Sequence, residues 1–219
     1  MISIIIPVYK HQKQLSKTLA SLRVQTLQDF EIIIVDDGNE PPLNAMPNTQ
    51  VFRQEHSGAA AARNRGAREA KGEYLLFLDA DIWLKPDYLE KMLEALKSHP
   101  EASYAYSQFK FGFKTFNLWP FDEAKLKLMP YIHTASLIRK IDFPGFDASI
   151  KRLQDWDLWL SMLEQNKKGV FIPQILFRVT AGGSMSKWLP SFLYNFKWLP
   201  SVKKYNEAVK IIKAKHHLL

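Results

Sequence analysis

Residues 72–82 read GEYLLFLDADI, and this stretch decides the fold. Tyr74 to Leu78 is an unbroken apolar run of strand length, bounded by Gly72 on one side and acids on the other. Continuous apolar strands are buried on both faces, as in parallel sheets covered by helices. Side chains alternate along a strand, so Asp79 and Asp81 aim into one space at its carboxyl end. Two like charges there repel unless a cation or a hydrogen-bond network holds them. Oxygen ligands with room for water and phosphate suit Mg2+ or Mn2+. The stretch therefore predicts a site where a divalent metal holds a phosphorylated ligand.

The flanking sequence extends this pattern. Ile2 to Ile6 is a second apolar run, followed by Leu15, Leu19 and Leu22 at helical spacing. Glu31 to Val35 predicts another buried strand, ending at Asp36-Asp37-Gly38. A loop with Pro41, Pro42 and Pro47 leads to a short strand at Val51-Phe52. Residues 58–70 and 86–96 read as helices, Pro86 fitting a first helical turn. Alternating strands and helices predict an α/β fold with a mostly parallel central sheet flanked by helices. Ligands then bind beyond the carboxyl ends of the strands, where Asp36, Asp37, Asp79 and Asp81 fall.

The second half is less regular. Phe109 to Pro130 is aromatic and basic without periodicity, and reads as a loop or lid with short helical pieces. Strands are expected at 136–138 and 175–179, and a helix over 155–163. One domain is expected over 1–186, with a regular half at about 1–100 and an irregular half at about 101–186. The tail, 187–219, repeats KWLPS at 187–191 and 197–201. Val202, Tyr205, Val209 and Ile212 there share one helical stripe, with lysines elsewhere on the helix. Such a tail fits an anionic membrane surface or a place against the domain's own core.

The chain's 30 Lys and Arg exceed its 22 Asp and Glu, for a net charge of +8. That favours anionic partners. No nucleic-acid-binding motif is present, so nucleotide phosphates and lipid surfaces are the expected ones. Cysteine is absent, which excludes disulfides, thiolate metal sites and cysteine nucleophiles. No signal peptide or spanning stretch is visible in these residues, and the expected location is cytoplasmic, with peripheral contact at the inner face of the membrane through the tail.

Four blocks occur in order: SIIIPVYK, EIIIVDDG, SGAAAARNRGAREAKGEYLLFLDAD and QDWDLWL. In this order they closely resemble family 2 glycosyltransferases of the Rossmann-like GT-A fold, over roughly residues 2–185. The resemblance implies a metal-dependent, inverting transfer of sugar from a nucleotide diphosphate to a hydroxyl, in cell-surface polysaccharide or lipid-linked glycan synthesis. The implied donor is a nucleotide-sugar, a UDP-sugar first, and the acceptor a glycan or lipid-linked glycan. Pro7 and Tyr9 would line the nucleoside pocket, and Asp37 would hydrogen-bond the base. His56 and Arg63 would lie near the donor and its phosphates. Asp81 would be the direct ligand of Mn2+ or Mg2+, with Asp79 nearer the ribose or a metal-bound water, and Asp155 would be the catalytic base. Three positions depart from the pattern: Ile82 where another Asp is frequent, His56 for Asn, and Gln154 for Glu.

Plainer readings stand beside these. Asp36-Asp37-Gly38 is a common turn sequence, and Asp155 with Asp157 could only complement a helix dipole. Asp157 sits among packing residues and reads as structural. His133, His216 and His217 lack metal-spaced partners and read as ordinary histidines. Two competing functions remain open: a nucleotidyltransferase, which would want a glycine-rich phosphate loop near the first strand, and a non-catalytic nucleotide-sugar binder or membrane scaffold.

Overall fold

The computed structural model describes residues 1–180, 196 and 198–218. Four parallel strands form its first half: β1 (Ile2–Val8), β2 (Phe30–Asp37), β3 (Gln50–Gln54) and β4 (Tyr74–Phe77). Alternation along β1 divides the core in two. Ile2, Ile4 and Ile6 pack with Leu15, Leu19 and Leu22 of α1 (Gln12–Arg23) and with α3 (Tyr88–Ser98). Ile5 joins Ile33 and Val35 beneath α2 (Ala59–Glu69). That helix lies so close that a Cβ on Gly66 would sit 2.4 Å from Ile5 Cγ2, hence the glycine. Each face of the sheet thus buries a helix stripe, which is why these strands read as continuous apolar runs.

The second half completes the sheet and corrects one expectation. The segment 109–130, expected as a loop or lid with short helical pieces, opens on strand: the end of β6 (Tyr104–Phe111) turns into β7 (Lys114–Phe116), and α4 (Glu123–Leu128) is its helical piece. Tyr104, Ala105, Tyr106 and Phe109 are buried, so the strand carries apolar side chains on both faces and shows no alternation. β8 (Leu137–Arg139) joins β4 to β6 in antiparallel pairings, and β9 (Gly169–Val179) runs parallel to β6. β5 (Ile82–Leu84) closes the far edge. Among the described residues the order is β3-β2-β1-β4-β8-β6-β9-β5, with β7 on β6.

The helix α5 (Gln154–Glu164) covers the second core through Trp156 and Trp159, both fully buried. Their indole N–H groups donate to Leu126 O at 2.6 Å and Ile132 O at 2.9 Å. α6 (Pro200–Lys215) packs on this same core, burying Val202, Ala208 and Ile212. Its end is fastened by ion pairs from Lys215 to Asp147 (2.8 Å) and Asp157 (2.7 Å). His216 pairs with Asp157 (2.9 Å) and Glu164 (2.8 Å), so Asp157 and His216 both hold structure. The first KWLPS copy lies outside the described residues, as does Lys197 of the second. No described helix is long and apolar enough to cross a membrane.

Candidate active site

The parallel register sets the ends of β1, β2 and β4 side by side, Val8 opposite Asp36 and Ile5 opposite Phe77. Pro7 and Tyr9, Asp36 and Asp37, and Asp79 to Asp81 therefore share one edge. Asp36 is buried scaffolding: it accepts from Asn39 N (2.9 Å), Asn39 Nδ2 (2.6 Å) and Leu43 N (2.9 Å). Burial opposes its ionisation, but these bonds hold its carboxyl below the usual range. Asp37, also buried, organises residues 54–58. It accepts from Gln54 Nε2 (2.7 Å), Ser57 N (2.8 Å) and Gly58 N (2.9 Å), with His56 Nδ1 2.9 Å from its Oδ2. This places the half-exposed His56 ring on Tyr9, centroids 3.9 Å apart and planes 18° apart. Gly38 is required beneath it, with φ 82° and a Cβ position 2.8 Å from His56 N. An open cavity of about 480 Å³ adjoins the stack, lined by Gly38, Arg53, Gln54 and His56 among others. What Asp37 offers a ligand is thus the His56–Tyr9 pair, its own carboxylate being committed to the loop.

Arg63 links the next two parts. Its side chain is only 3% exposed and donates from Nη2 to Asp79 Oδ1 (2.6 Å) and from Nη1 to Gln154 Oε1 (2.9 Å). Phe146 lies against the guanidinium, 5.2 Å from ring centroid to Cζ. Gln154 begins α5 and Asp155 follows it, so one buried cation joins the β4 edge to the first turn that carries Asp155. The helix starts from Leu153 in the left-handed region (φ 58°), a conformation a non-glycine residue keeps only when its surroundings enforce it. Arg65, by contrast, pairs with Glu69 at 2.9 Å and sits over Phe52.

The three carboxylates end in different electrostatic states. Burial disfavours charge on Asp79, but the Arg63 guanidinium outweighs it and holds the carboxyl low. Asp81 is pushed up to about 6, first by burial and then by the charge of Asp79. Asp155 is raised by burial, only partly offset by the Trp156 N–H at 2.9 Å and the charge of Arg63.

This pattern fits a divalent cation. Burial and the Asp79 charge oppose ionisation of Asp81 more than its neighbours favour it, while one oxygen of Asp79 is already held by Arg63. Among the described residues no group of three or more His, Cys, Asp or Glu could form a protein cage. One or two carboxylates completed by water and substrate phosphates is how Mg2+ is commonly bound.

The structure also brings in a residue that the sequence pattern alone leaves aside. His133 lies within electrostatic reach of Asp79, Asp155 and Arg63. The signal lies in strand direction. β8 pairs antiparallel with β4, Leu76 opposite Leu137. Continuing that register backwards carries the chain from Leu137 to His133 alongside the carboxyl end of β4. Without the pairing, His133 is an isolated histidine.

Comparison with known proteins identifies the family and the fold. The sequence model of the family described as Glycosyl transferase family 2 matches residues 3–152. An uncharacterized glycosyltransferase of Haemophilus influenzae is 31% identical over 188 residues, covering 75% of this chain and 63% of the relative. The uncharacterized glycosyltransferase YwdF of Bacillus subtilis is 30% identical over 178 residues, covering 73% of this chain and 66% of YwdF. The S. aureus TarS 1–349 structure in complex with UDP superposes with a TM-score of 0.70 at 16% identity, over 97% of this chain and 64% of that one. A second TarS structure, with UDP-GlcNAc, gives 0.68 at 17% identity, over 97% of this chain and 65% of that one. The fold is that of these GT-A structures, and the chain spans somewhat under two thirds of the lengths of the Haemophilus protein and of the TarS 1–349 chains.

Proposed function

The chain belongs to glycosyl transferase family 2, and from that premise we propose a metal-dependent, inverting transfer of sugar from a nucleotide diphosphate to a hydroxyl. The observation that supports it is the separation of carboxylate states across Arg63: Asp79 is held ionised, whereas Asp155, on α5, has no cationic hydrogen-bond partner among the described residues. Paired carboxylates driven apart in this way take different roles in acid–base chemistry.

The nucleoside is proposed to rest against the Tyr9–His56 stack beside Pro7, with uracil the preferred base, since TarS provides a UDP-bound relative of the same fold. Mn2+ or Mg2+, when bound, supplies positive charge against the developing charge of the leaving diphosphate. Asp81 would hold it directly, and Asp79, steadied by Arg63, would hold a coordinated water or the ribose. Asp155 accepts the proton of the acceptor hydroxyl. The hydroxyl oxygen then bonds to the anomeric carbon as the bond to the diphosphate oxygen breaks and that oxygen takes the electron pair. A single displacement inverts the anomeric configuration. A raised carboxyl is a stronger base than an ordinary one and suits this proton transfer.

The proposed acceptor is a cell-surface or lipid-linked glycan. The exposed Trp198 and Ile211 of the α6 region, with Lys203, Lys204 and Lys210 exposed on the helix, offer apolar and basic groups suited to an anionic bilayer. The donor assignment is tested by thermal stabilisation with UDP, GDP, dTDP and CDP in Mn2+. UDP should stabilise most and EDTA should abolish the effect. Equal shifts from all four, or shifts that ignore EDTA, would refute it.

A further inference from the structure

The segment before β8 is held more firmly than a connecting loop requires. Trp159 Nε1 donates to Ile132 O at 2.9 Å, Ser136 Oγ to His133 O at 2.7 Å, and Tyr88 Oη to Ala135 O at 2.9 Å. Between these anchors the His133 ring is packed against Phe109 and Phe177, with centroids 5.3 Å and 5.2 Å away. Its Nδ1 accepts the Ala135 N–H at 3.0 Å.

That last bond fixes the chemistry of the ring. A nitrogen accepting a backbone N–H carries no proton, so the neutral imidazole bears its hydrogen on Nε2. Protonating the ring would set two N–H groups against each other. Metal ligation through Nε2 would likewise require removing the only ring proton. His133 is therefore a neutral, oriented donor whose Nε2 edge faces away from the Ala135 N–H, at the carboxyl end of β4 and within electrostatic reach of Asp79, Asp155 and Arg63. Neither Phe109 nor Phe177 offers it an acceptor.

We propose that His133 is a further substrate-contacting residue, its Nε2–H donating a hydrogen bond to a hydroxyl of the sugar held between Asp79 and Asp155. This rests on the nucleotide-sugar reading above. It makes His133 a reader of the sugar rather than of the nucleotide.

Two substitutions separate this from a packing role. Asparagine keeps an acceptor near the position of Nδ1 for Ala135 but cannot reach as far as Nε2. Glutamine places an N–H near the position of Nε2. Binding of UDP, UDP-glucose and UDP-GlcNAc is measured calorimetrically in Mn2+ on the whole chain, with circular dichroism confirming that each variant is folded. His133→Asn should bind UDP within about twofold of wild type and lose roughly tenfold for the sugar nucleotide that wild type prefers, the size of one hydrogen bond. His133→Gln should recover most of that loss. If the Asn variant keeps the wild-type ratio of sugar-nucleotide to UDP affinity, or loses UDP and sugar nucleotide equally, this inference alone falls. A wild-type chain that binds neither sugar nucleotide overturns the donor reading, and this inference with it.

Discussion

Replacing Asp81 by Asn should stabilise the metal-free protein while abolishing its response to Mn2+. The carboxyl of Asp81 is raised from 3.8 to about 6 because burial and the neighbouring Asp79 both oppose its charge. At neutral pH the folded state therefore carries an ionised group that it binds less favourably than the unfolded chain does. Two units at about 1.36 kcal/mol each is about 3 kcal/mol, and screening at a partly exposed carboxyl leaves about 1–3 kcal/mol. For a chain of this size that corresponds to roughly 2–10 °C in Tm. The sign follows from the raised folded-state value. The penalty is full above about 6, shrinks as pH falls, and vanishes below the unfolded value of 3.8, where both states are protonated. Thermal melts in EDTA from pH 4 to 8 should show the Asn variant ahead at pH 7.5 and level with wild type near pH 4. Mn2+ should raise the melting temperature of wild type and leave that of the variant in place. An Asn variant that melts at or below wild type in EDTA at pH 7.5, or a gap unchanged across pH, would show that Asp81 is not an uncompensated charge.

Four other outcomes are expected. Arg63→Met should cost about 3 kcal/mol, because it strips a buried cation from the partly buried Asp79; denaturant melts showing under 1 kcal/mol would disprove the bridging role. Asp155→Asn should keep nucleotide binding and lose transfer, and the acid limb of wild-type activity should lie above the usual carboxylate range because burial raises Asp155; near-native turnover in the variant rules out the base assignment. Burial opposes charge on His216, but Asp157 and Glu164 raise its folded-state value, so its stabilisation is complete below the ordinary 6.5 and fades as pH rises through the raised value. The stability gap to His216→Gln should therefore narrow in alkali, and a pH-independent gap would contradict this. Changing Lys203, Lys204 and Lys210 together to Glu should weaken binding to anionic vesicles at low salt, with neutral vesicles as control; a wild-type chain that ignores anionic vesicles excludes the lipid reading.

Legibility in the sequence tracks how locally each feature is encoded. Ile2 to Ile6, Glu31 to Val35 and Tyr74 to Leu78 are apolar runs, the last two followed by acids, so the parallel half and its acidic edge can be read directly. β6 cannot, because Tyr104, Tyr106, Phe109 and Phe111 resemble the aromatic sequence that continues through Phe113, Phe116 and Trp119. Only pairing with β8 and β9 sets the strand apart from that aromatic continuation. The candidate site divides along the same line. Asp79, Asp81 and Asp155 are visible as carboxylates in context. The function of Asp37 as organiser of 54–58, the bridge made by Arg63 and the position of His133 each depend on partners at least 16 residues away.

Arg63 explains why Gln154 is compatible with the proposed chemistry. A guanidinium with 3% exposure has little water to share its charge with, so its partners decide how that charge is distributed. One arm meets the Asp79 carboxylate and the other the neutral Gln154 amide oxygen. The one ion pair Arg63 makes among the described residues is therefore with Asp79, which stays ionised, and residue 154 does not compete for it. A glutamate there would compete for Arg63 and place a second negative charge beside Asp155, raising a carboxyl that burial has already raised. The amide keeps the hydrogen bond that aligns α5 with the β4 edge, without either electrostatic effect. Its Nε2 also donates to Ile150 O at 2.8 Å, fixing the turn that leads into Asp155. Position 154 thus bears on two quantities at once, the charge on Asp79 and the basicity of Asp155, the proposed proton acceptor, through one neutral side chain.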